Sequence, residues 1–134
     1  SKPCQTVYTI TPSASVFDAL KLMADKSIGA LVVMEGKNVV GMITERDYAR
    51  KIILMARSSK DTPVRDIMTS SVMYVRPSHT GEECMMLMTE NRLRHLPVMD
   101  DGKLIGIISI GDLVKDIISE QKFIIEQLEH YIHS

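Results

Sequence analysis

The chain has 134 residues, 45% hydrophobic and 4% aromatic, so we expect one compact domain, or two half-sized units sharing a core, packed by aliphatic residues and methionine. Its 16 basic and 17 acidic residues leave a net charge of -1 with no long block of either sign, which argues against a nucleic-acid or anionic membrane surface. No apolar run approaches the roughly 20 residues of a bilayer span and the N-terminus lacks a signal-peptide layout, so we expect a soluble protein.

The first half of the chain alternates short apolar runs with helical periodicity. Ser15 and Asp18 have the spacing of a capping box, and apolar residues then recur on one helical face. The predicted elements are a strand over residues 7–10, a helix from Ser15 to about Lys26, strands over 30–34 and 39–43, a helix from Thr44 to about Met55 and a polar linker over 57–62.

The second half repeats this order and ends in a longer helix. The predicted elements are a short helix over residues 64–69, a strand over 72–75, a helix capped by Thr80 and Glu83, strands over 96–99 and 104–108, and a helix from Asp112 to about Ile132. This last helix is roughly 30 Å long. Cys84 falls on an apolar helix face and is interpreted as a core residue, while Cys4 lies in a polar stretch, so the pair indicates a reducing compartment rather than a disulfide.

Residue n resembles residue n+65 from Val7 onward without a gap. Prolines, glycines and carboxylates coincide as well as aliphatic residues, which chance similarity of two amphipathic segments does not explain. The offset aligns residues 41–47, Gly-Met-Ile-Thr-Glu-Arg-Asp, with residues 106–112, Gly-Ile-Ile-Ser-Ile-Gly-Asp. Each copy predicts a strand end, a hydroxyl at a helix start and a carboxylate one turn into the helix. The chain therefore contains an internal duplication.

These residues resemble the cystathionine β-synthase (CBS) domain, and two such units resemble a CBS pair, or Bateman module. The resemblance covers about residues 7–118 and is carried by the Gly-h-h-[Thr/Ser]-x-x-Asp pattern, by residues 64–69 (Val-Arg-Asp-Ile-Met-Thr) and by residues 94–98 (Arg-His-Leu-Pro-Val). It implies an α/β (α+β) fold of two tandem β-α-β-β-α repeats with pseudo-two-fold symmetry. The divisions expected are repeat 1 over 1–57, a linker with a short helix over 58–71, repeat 2 over 72–118 and a helical extension over 119–134. The closest likeness is to stand-alone CBS pairs of bacteria and plant organelles, which implies a cytoplasmic or organellar matrix location.

The resemblance also implies an adenosine-containing ligand between the repeats: AMP, ADP, ATP, S-adenosylmethionine or NAD(H). The duplicated motif suits such a ligand, because a helix N-terminus attracts a phosphate and a carboxylate can accept hydrogen bonds from both ribose hydroxyls. The alternative is that Thr-x-x-Asp and Ser-x-x-Asp are ordinary helix caps. Two copies at equivalent strand ends favour a site in at least one of them.

Two clefts follow from carrying the family pattern over residue by residue. The first would be lined by Met42, Thr44, Arg46, Asp47, Thr69, Met73, Leu93, Arg94 and His95. The second would be lined by Ile107, Ser109, Gly111, Asp112, Tyr8, Ile28, Gly29 and Ala30, with Arg94 and His95 shared. Arg46 faces a phosphate in the first cleft only, so AMP is expected there, whereas the small residues of the second leave room for NAD(H). Arg46 and Arg94 as solvated surface charges remain the alternative.

The expected function is a non-catalytic adenine-nucleotide sensor read by an unidentified protein target. One alternative is a structural dimerisation module with degenerate clefts, and another is a weak phosphohydrolase using Arg46, Arg94 and His95, for which no nucleophile is recognisable. Glu126, Glu129, His130 and His133 have helical spacing that could hold a metal, but near a chain end they are interpreted as exposed, and no metal is expected. The element preceding Val7 is expected to be truncated.

A homodimer is predicted from the last helix. Apolar residues recur there at alternating three- and four-residue steps, which makes a stripe too wide for a lone exposed tail. The stripe contains Val114, Ile118, Ile125, Leu128 and Ile132, with Gln121 in the same row and Ile117, Ile124 and Tyr131 alongside.

Overall fold

The computed structural model describes residues 7–133, which form two repeats of a mixed α/β fold, as expected. The first contains β1 (Thr9–Ile10), α1 (Val16–Lys26), β2 (Ala30–Glu35), β3 (Asn38–Thr44) and α2 (Glu45–Asp47), which continues as a π-helix over Tyr48–Ile53. A 3-10 turn over Val64–Asp66 leads to the second, which contains α3 (Gly81–Asn91), β4 (His95–Asp100), β5 (Lys103–Ser109) and α4 (Ile110–His133). The predicted truncation before Val7 and the environment of Cys4 lie outside the described residues.

The duplication extends to backbone register. Helices α1 and α3 are offset by 65 residues at both ends, and each ends on a left-handed residue, Ser27 or Arg92. The antiparallel pair β2–β3 aligns Ala30 with Thr44, and β4–β5 aligns His95 with Ser109 at the same offset. Both pairs also change register at equivalent points. The two repeats therefore present their motifs at equivalent strand ends.

The strand predicted over residues 72–75 is wrong. Only Val75 pairs with β4, through a single parallel bridge to Val98, whereas β1 forms a two-residue strand against β2. The reason is that Thr69 is still paired with Met42 of β3, by backbone hydrogen bonds of 2.8 and 2.9 Å. The chain must cross from the first sheet to the second within six residues, which leaves no length for a strand.

The helix after Thr44 ends close to the predicted position. Its π-helical part ends at Ile53, two residues before Met55, and Ala56 then adopts a left-handed conformation with φ of 55°. The amides of Ala56 and Arg57 donate to the carbonyls of Ile53 and Ile52, which is the hydrogen-bond pattern of a Schellman end.

Each repeat has its own apolar core, and a third cluster joins them. Val64 and Ile67 from the stretch between the repeats are fully buried in the first core. Cys84 is buried in the second, as predicted. The joining cluster is formed by Ala30, Val32 and Met42, with Val7, Met34, Val39, Val72, Leu104 and Ile107 packed against it.

The last helix leaves its apolar stripe exposed, as the sequence indicated. Leu113 is buried, but Ile118, Ile125 and Leu128 are 50%, 55% and 57% exposed. Among the described residues, no helix combines the length and the hydropathy that crossing a membrane requires.

Candidate functional site

The two repeated motifs begin helices in the same way. Thr44 Oγ1 accepts a hydrogen bond from the Asp47 amide at 3.1 Å, and Asp47 Oδ2 accepts from the Thr44 amide at 3.0 Å. Ser109 and Asp112 repeat both bonds at 3.1 Å. Both motifs are therefore capping boxes, as the alternative interpretation proposed. Capping occupies one carboxylate oxygen, so it does not exclude a ligand at the other.

The second oxygen of Asp47 faces the stretch between the repeats. Thr69 Oγ1 donates to Asp47 Oδ1 at 3.3 Å. Thr69 is itself fixed by its backbone pairing with Met42, which requires a close approach at Gly41. A Cβ atom at Gly41 would lie 2.7 Å from Met68 Sδ and 2.9 Å from the Thr69 carbonyl oxygen. The Asp47 carboxylate is thus oriented by Thr44 at one oxygen and by Thr69 at the other.

Asp47 opens onto a cleft of about 810 Å³ between the repeats, which we call the Asp47 cleft. All nine residues predicted for the first cleft line it: Met42, Thr44, Arg46, Asp47, Thr69, Met73, Leu93, Arg94 and His95. It is also lined by residues that the sequence analysis did not assign to it: Gly29, Glu45, Arg50, Ser71, Val72, Asn91 and Arg92. The spacing of Arg50, four residues after Arg46, could have identified it as a neighbour on the same helical face.

The lining of the Asp47 cleft carries an excess of positive charge. Four arginines, Arg46, Arg50, Arg92 and Arg94, outnumber the two carboxylates Glu45 and Asp47. Arg46 Nη1 donates to the Arg92 carbonyl oxygen at 3.3 Å, which bridges α2 of the first repeat and the end of α3. Guanidinium groups present several donors in a plane, so this lining suits an anion such as a phosphate.

His95 lies at the junction of the two motifs. Its ring faces Gly29, where a Cβ atom would lie 3.7 Å from His95 Nε2 and 3.1 Å from Glu45 Oε1. Burial lowers the pKa of His95, and Arg94 lowers it further, while Asp112 and Glu45 act in the opposite direction. The imidazole is therefore held in its neutral form more strongly than in an unfolded chain.

The residues predicted for the second cleft are distributed over several environments. Tyr8 and Ile28 pack against the first core. Ala30 and Ile107 belong to the joining cluster, and Gly29 lines the Asp47 cleft. The space expected beside Gly29 is filled by Glu45 and His95, whereas a Cβ atom at Gly111 would make only an ordinary van der Waals contact, at 3.7 Å from Ser109 Oγ.

Asp112 lines a different cavity of about 810 Å³, between the start of α3 and α4, which we call the α3–α4 groove. In the part of the chain that the structure describes, no three His, Cys, Asp or Glu side chains come together as metal ligands would.

Comparison with known proteins also finds two units in the chain. The CBS domain family matches residues 3–54 and 64–119. The mitochondrial CBS domain-containing protein CBSX3 of Arabidopsis thaliana is 45% identical over 127 residues, which cover 91% of this chain and 62% of that protein.

Solved structures agree with this assignment. A protein with CBS domains from Burkholderia ambifaria is 59% identical, with a TM-score of 0.86 over 90% of each chain. A hexameric CBS-CP12 protein from bloom-forming cyanobacteria is 34% identical, with a TM-score of 0.76 over 83% of this chain and 65% of that one. The duplicated fold, the matched residues and these relatives together show that the chain belongs to the CBS domain family of regulatory modules, as a tandem pair of CBS domains.

Proposed function

We propose that the protein is a non-catalytic regulatory module that binds an adenosine phosphate in the Asp47 cleft, with AMP as the simplest ligand. The observation that supports this most strongly is the convergence of nine predicted residues from both repeats on one cleft. Its volume of about 810 Å³ lies within the range of small-molecule sites.

Each part of the ligand has a counterpart in the cleft. Asp47 Oδ1, which already accepts from Thr69, is the acceptor for the ribose hydroxyls. Arg46 and Arg50 lie one helical turn apart and meet the phosphate, with Arg94 from the second repeat. Met42, Val72 and Met73 provide the apolar wall for adenine. ADP and ATP fit the same scheme, because the cleft carries more arginines than one phosphate needs.

Ligand binding would change a hydrogen bond that connects the two repeats. Arg46 donates to the Arg92 carbonyl oxygen, so a phosphate that attracts Arg46 competes with this link. The ligand would replace it with its own contacts to both repeats. A protein target that recognises the surface around α2 and the end of α3 would therefore distinguish the bound from the free form. We further propose that the module acts as a homodimer in the cytoplasm or an organelle matrix.

Titration calorimetry with AMP tests this assignment. Asp47→Ala should remove most binding, because the ribose loses its acceptor. Arg46→Ala should weaken AMP by on the order of 1.5 to 3 kcal/mol, about tenfold or more, and weaken adenosine less. Asp112→Ala removes the equivalent capping carboxylate and is the matched control, which should leave the AMP isotherm intact. Loss of AMP binding in Asp112→Ala but not in Asp47→Ala would assign the ligand to the other motif.

A catalytic role is separated from a sensing role by product formation. The protein incubated with ATP, ADP and NADH should leave each unchanged. Turnover abolished by His95→Ala would overturn the sensor proposal in favour of a phosphohydrolase. Thermal-shift measurements with NAD(H) and S-adenosylmethionine extend the test to bulkier ligands, and Asp112→Ala should reduce their effect if the second motif contributes. The absence of a shift with every adenosine compound would favour a structural module.

A further inference from the structure

Helix α4 carries a heptad pattern on its exposed face. The residues Val114, Ile118, Gln121, Ile125, Leu128 and Ile132 follow one another at steps of four and three and occupy alternating d and a positions. Isoleucine stands at all three a positions. The row spans about 27 Å of helix, and its apolar members are at least 43% exposed. This is the surface pattern of a coiled-coil seam.

The two flanks of this seam differ in chemistry. The g flank is apolar, with Ile117, Ile124 and Tyr131. The e flank is charged, with Lys115, Lys122 and Glu129. A parallel copy would place each g residue against an e residue of the other helix, so apolar side chains would face charges. In an antiparallel pair, which has a two-fold axis perpendicular to the helices, the e flank faces the e flank of the second copy and the g flank faces the g flank.

We propose that α4 packs antiparallel against α4 of a second copy of this chain, with the two-fold axis near residue 123. The core layers then join Val114 to Ile132, Ile118 to Leu128 and Gln121 to Ile125 of the second copy. This antiparallel contact buries the full length of the exposed row and places each flank against the same flank of the second copy.

The pairing of charges and the pairing of apolar side chains both support this occupant. On the e flank, Lys115 faces Glu129 of the second copy and Glu129 faces its Lys115, which are two opposite-charge pairs. On the g flank, Ile124 faces its own counterpart and Ile117 faces Tyr131 of the second copy.

The α3–α4 groove is continuous with this flank, because Ile117, Gln121 and Ile124 also line it. The second copy would therefore cover the groove mouth with Tyr131, which is 81% exposed. One pair opposes the contact, since Lys122 faces Lys122 on the axis.

Light scattering and sedimentation equilibrium on the full 134-residue chain test the contact. The wild-type protein should have about twice the monomer mass of 15.0 kDa. Ile125→Glu should give a monomer with an unchanged circular dichroism spectrum, because Ile125 is exposed in the single chain. Gln127→Glu, which adds the same charge outside the seam, is the control and should remain dimeric. Lys122→Gln should lower the dimer dissociation constant. A monomeric wild type, or a dimeric Ile125→Glu, would overturn the proposal.

Crosslinking determines the orientation. In a Cys4→Ser background, Ile124→Cys should crosslink between copies with a short bis-maleimide, because it lies at the axis. Ile118→Cys should not, since the two copies of residue 118 are about 15 Å apart along an antiparallel pair. The reverse result would show a parallel pair and overturn the geometry. Capture of a foreign helix by a monomeric chain would show a different occupant and also overturn it.

This inference rests on the homodimer of the proposed function and specifies its interface. The helix contact and AMP binding are tested independently. AMP titration of Ile125→Glu should retain the wild-type affinity, because the Asp47 cleft contains no α4 residue among those that line it. A failed dimer with intact AMP binding would overturn the helix contact alone.

Discussion

Asp47 combines a structural and a candidate binding role in one carboxylate. Its Oδ2 accepts from the amide and hydroxyl of Thr44, and its Oδ1 accepts from Thr69 across the cleft. A carboxylate has about four lone-pair sites, so capping leaves acceptor capacity for a ligand. Substitution at Asp47 should therefore lower both helix stability and ligand affinity. Asp112→Ala removes a matching cap and separates the two effects.

Gly41 is required for the close approach of Met68 and Thr69. Gly41→Ala should lower the free energy of unfolding by about 1 to 3 kcal/mol, because the new Cβ would meet the Thr69 backbone oxygen at 2.9 Å. Urea denaturation measures this. Gly111→Ala is the control, since its Cβ would lie 3.7 Å from Ser109 Oγ, which is an ordinary van der Waals contact. That change should be neutral or stabilise by about 0.4 to 1 kcal/mol, and a larger loss there than at Gly41 would contradict the packing.

His95 should make stability depend on pH. Burial lowers its pKa in the folded protein below the unfolded value of about 6.5, so the unfolded chain binds the proton more readily. The stabilisation is complete above the unfolded pKa and is lost as pH falls through the folded pKa. Denaturation at several pH values should show His95→Gln less sensitive to acid over this window. His130→Gln on exposed α4 should behave as wild type, and an equal change in both variants would contradict the assignment.

Helix ends in this fold use left-handed residues other than glycine. Ala56 ends the π-helix at φ of 55° and has no polar side chain to stabilise that conformation. Ala56→Gly should therefore raise the free energy of unfolding by a few tenths to about 1 kcal/mol. Ala49→Gly, at an exposed position inside the same helix, should lower it by about 0.5 to 1 kcal/mol. Thermal melts of both variants measure the contrast, and destabilisation by Ala56→Gly would refute the strain argument.

The stretch between the repeats acts as a structural element of the first repeat. The Val64 amide donates to the Ala14 carbonyl at 2.7 Å, and the Arg65 amide donates to the Pro12 carbonyl at 3.0 Å. Lys51 Nζ donates to the Ile67 carbonyl at 2.9 Å. These bonds hold Thr69 at the rim of the Asp47 cleft, so residues predicted as a linker position part of the candidate site.

The joining cluster should make the two repeats unfold together. Val32 is fully buried there, beside residues of both repeats. Val32→Ala should lower stability by about 2 kcal/mol while unfolding remains a single transition. Calorimetry checks this by comparing the measured and van't Hoff enthalpies. Leu54→Ala, at a residue that is 78% exposed, should have little effect. Two separate transitions in the wild type would show that the repeats fold independently.

The sequence by itself determined the duplication and the helix caps. An offset of 65 residues without gaps imposes the same strand register and the same capping geometry on both repeats. Both features depend on residues that are close together in the sequence, so the spacing of residues is sufficient to predict them. The family pattern named nine residues for the first cleft, and all nine line the Asp47 cleft.

Only the tertiary structure decided what depends on packing between the repeats. The crossing from Thr69 to Val75 left no strand at residues 72–75, because the chain is still paired with β3 at its start. Arg92 lines the cleft, and its carbonyl oxygen accepts a hydrogen bond from Arg46. His95 and Glu45 fill the space beside Gly29. Residues distant in sequence meet at these points, so side-chain periodicity within either repeat does not specify them.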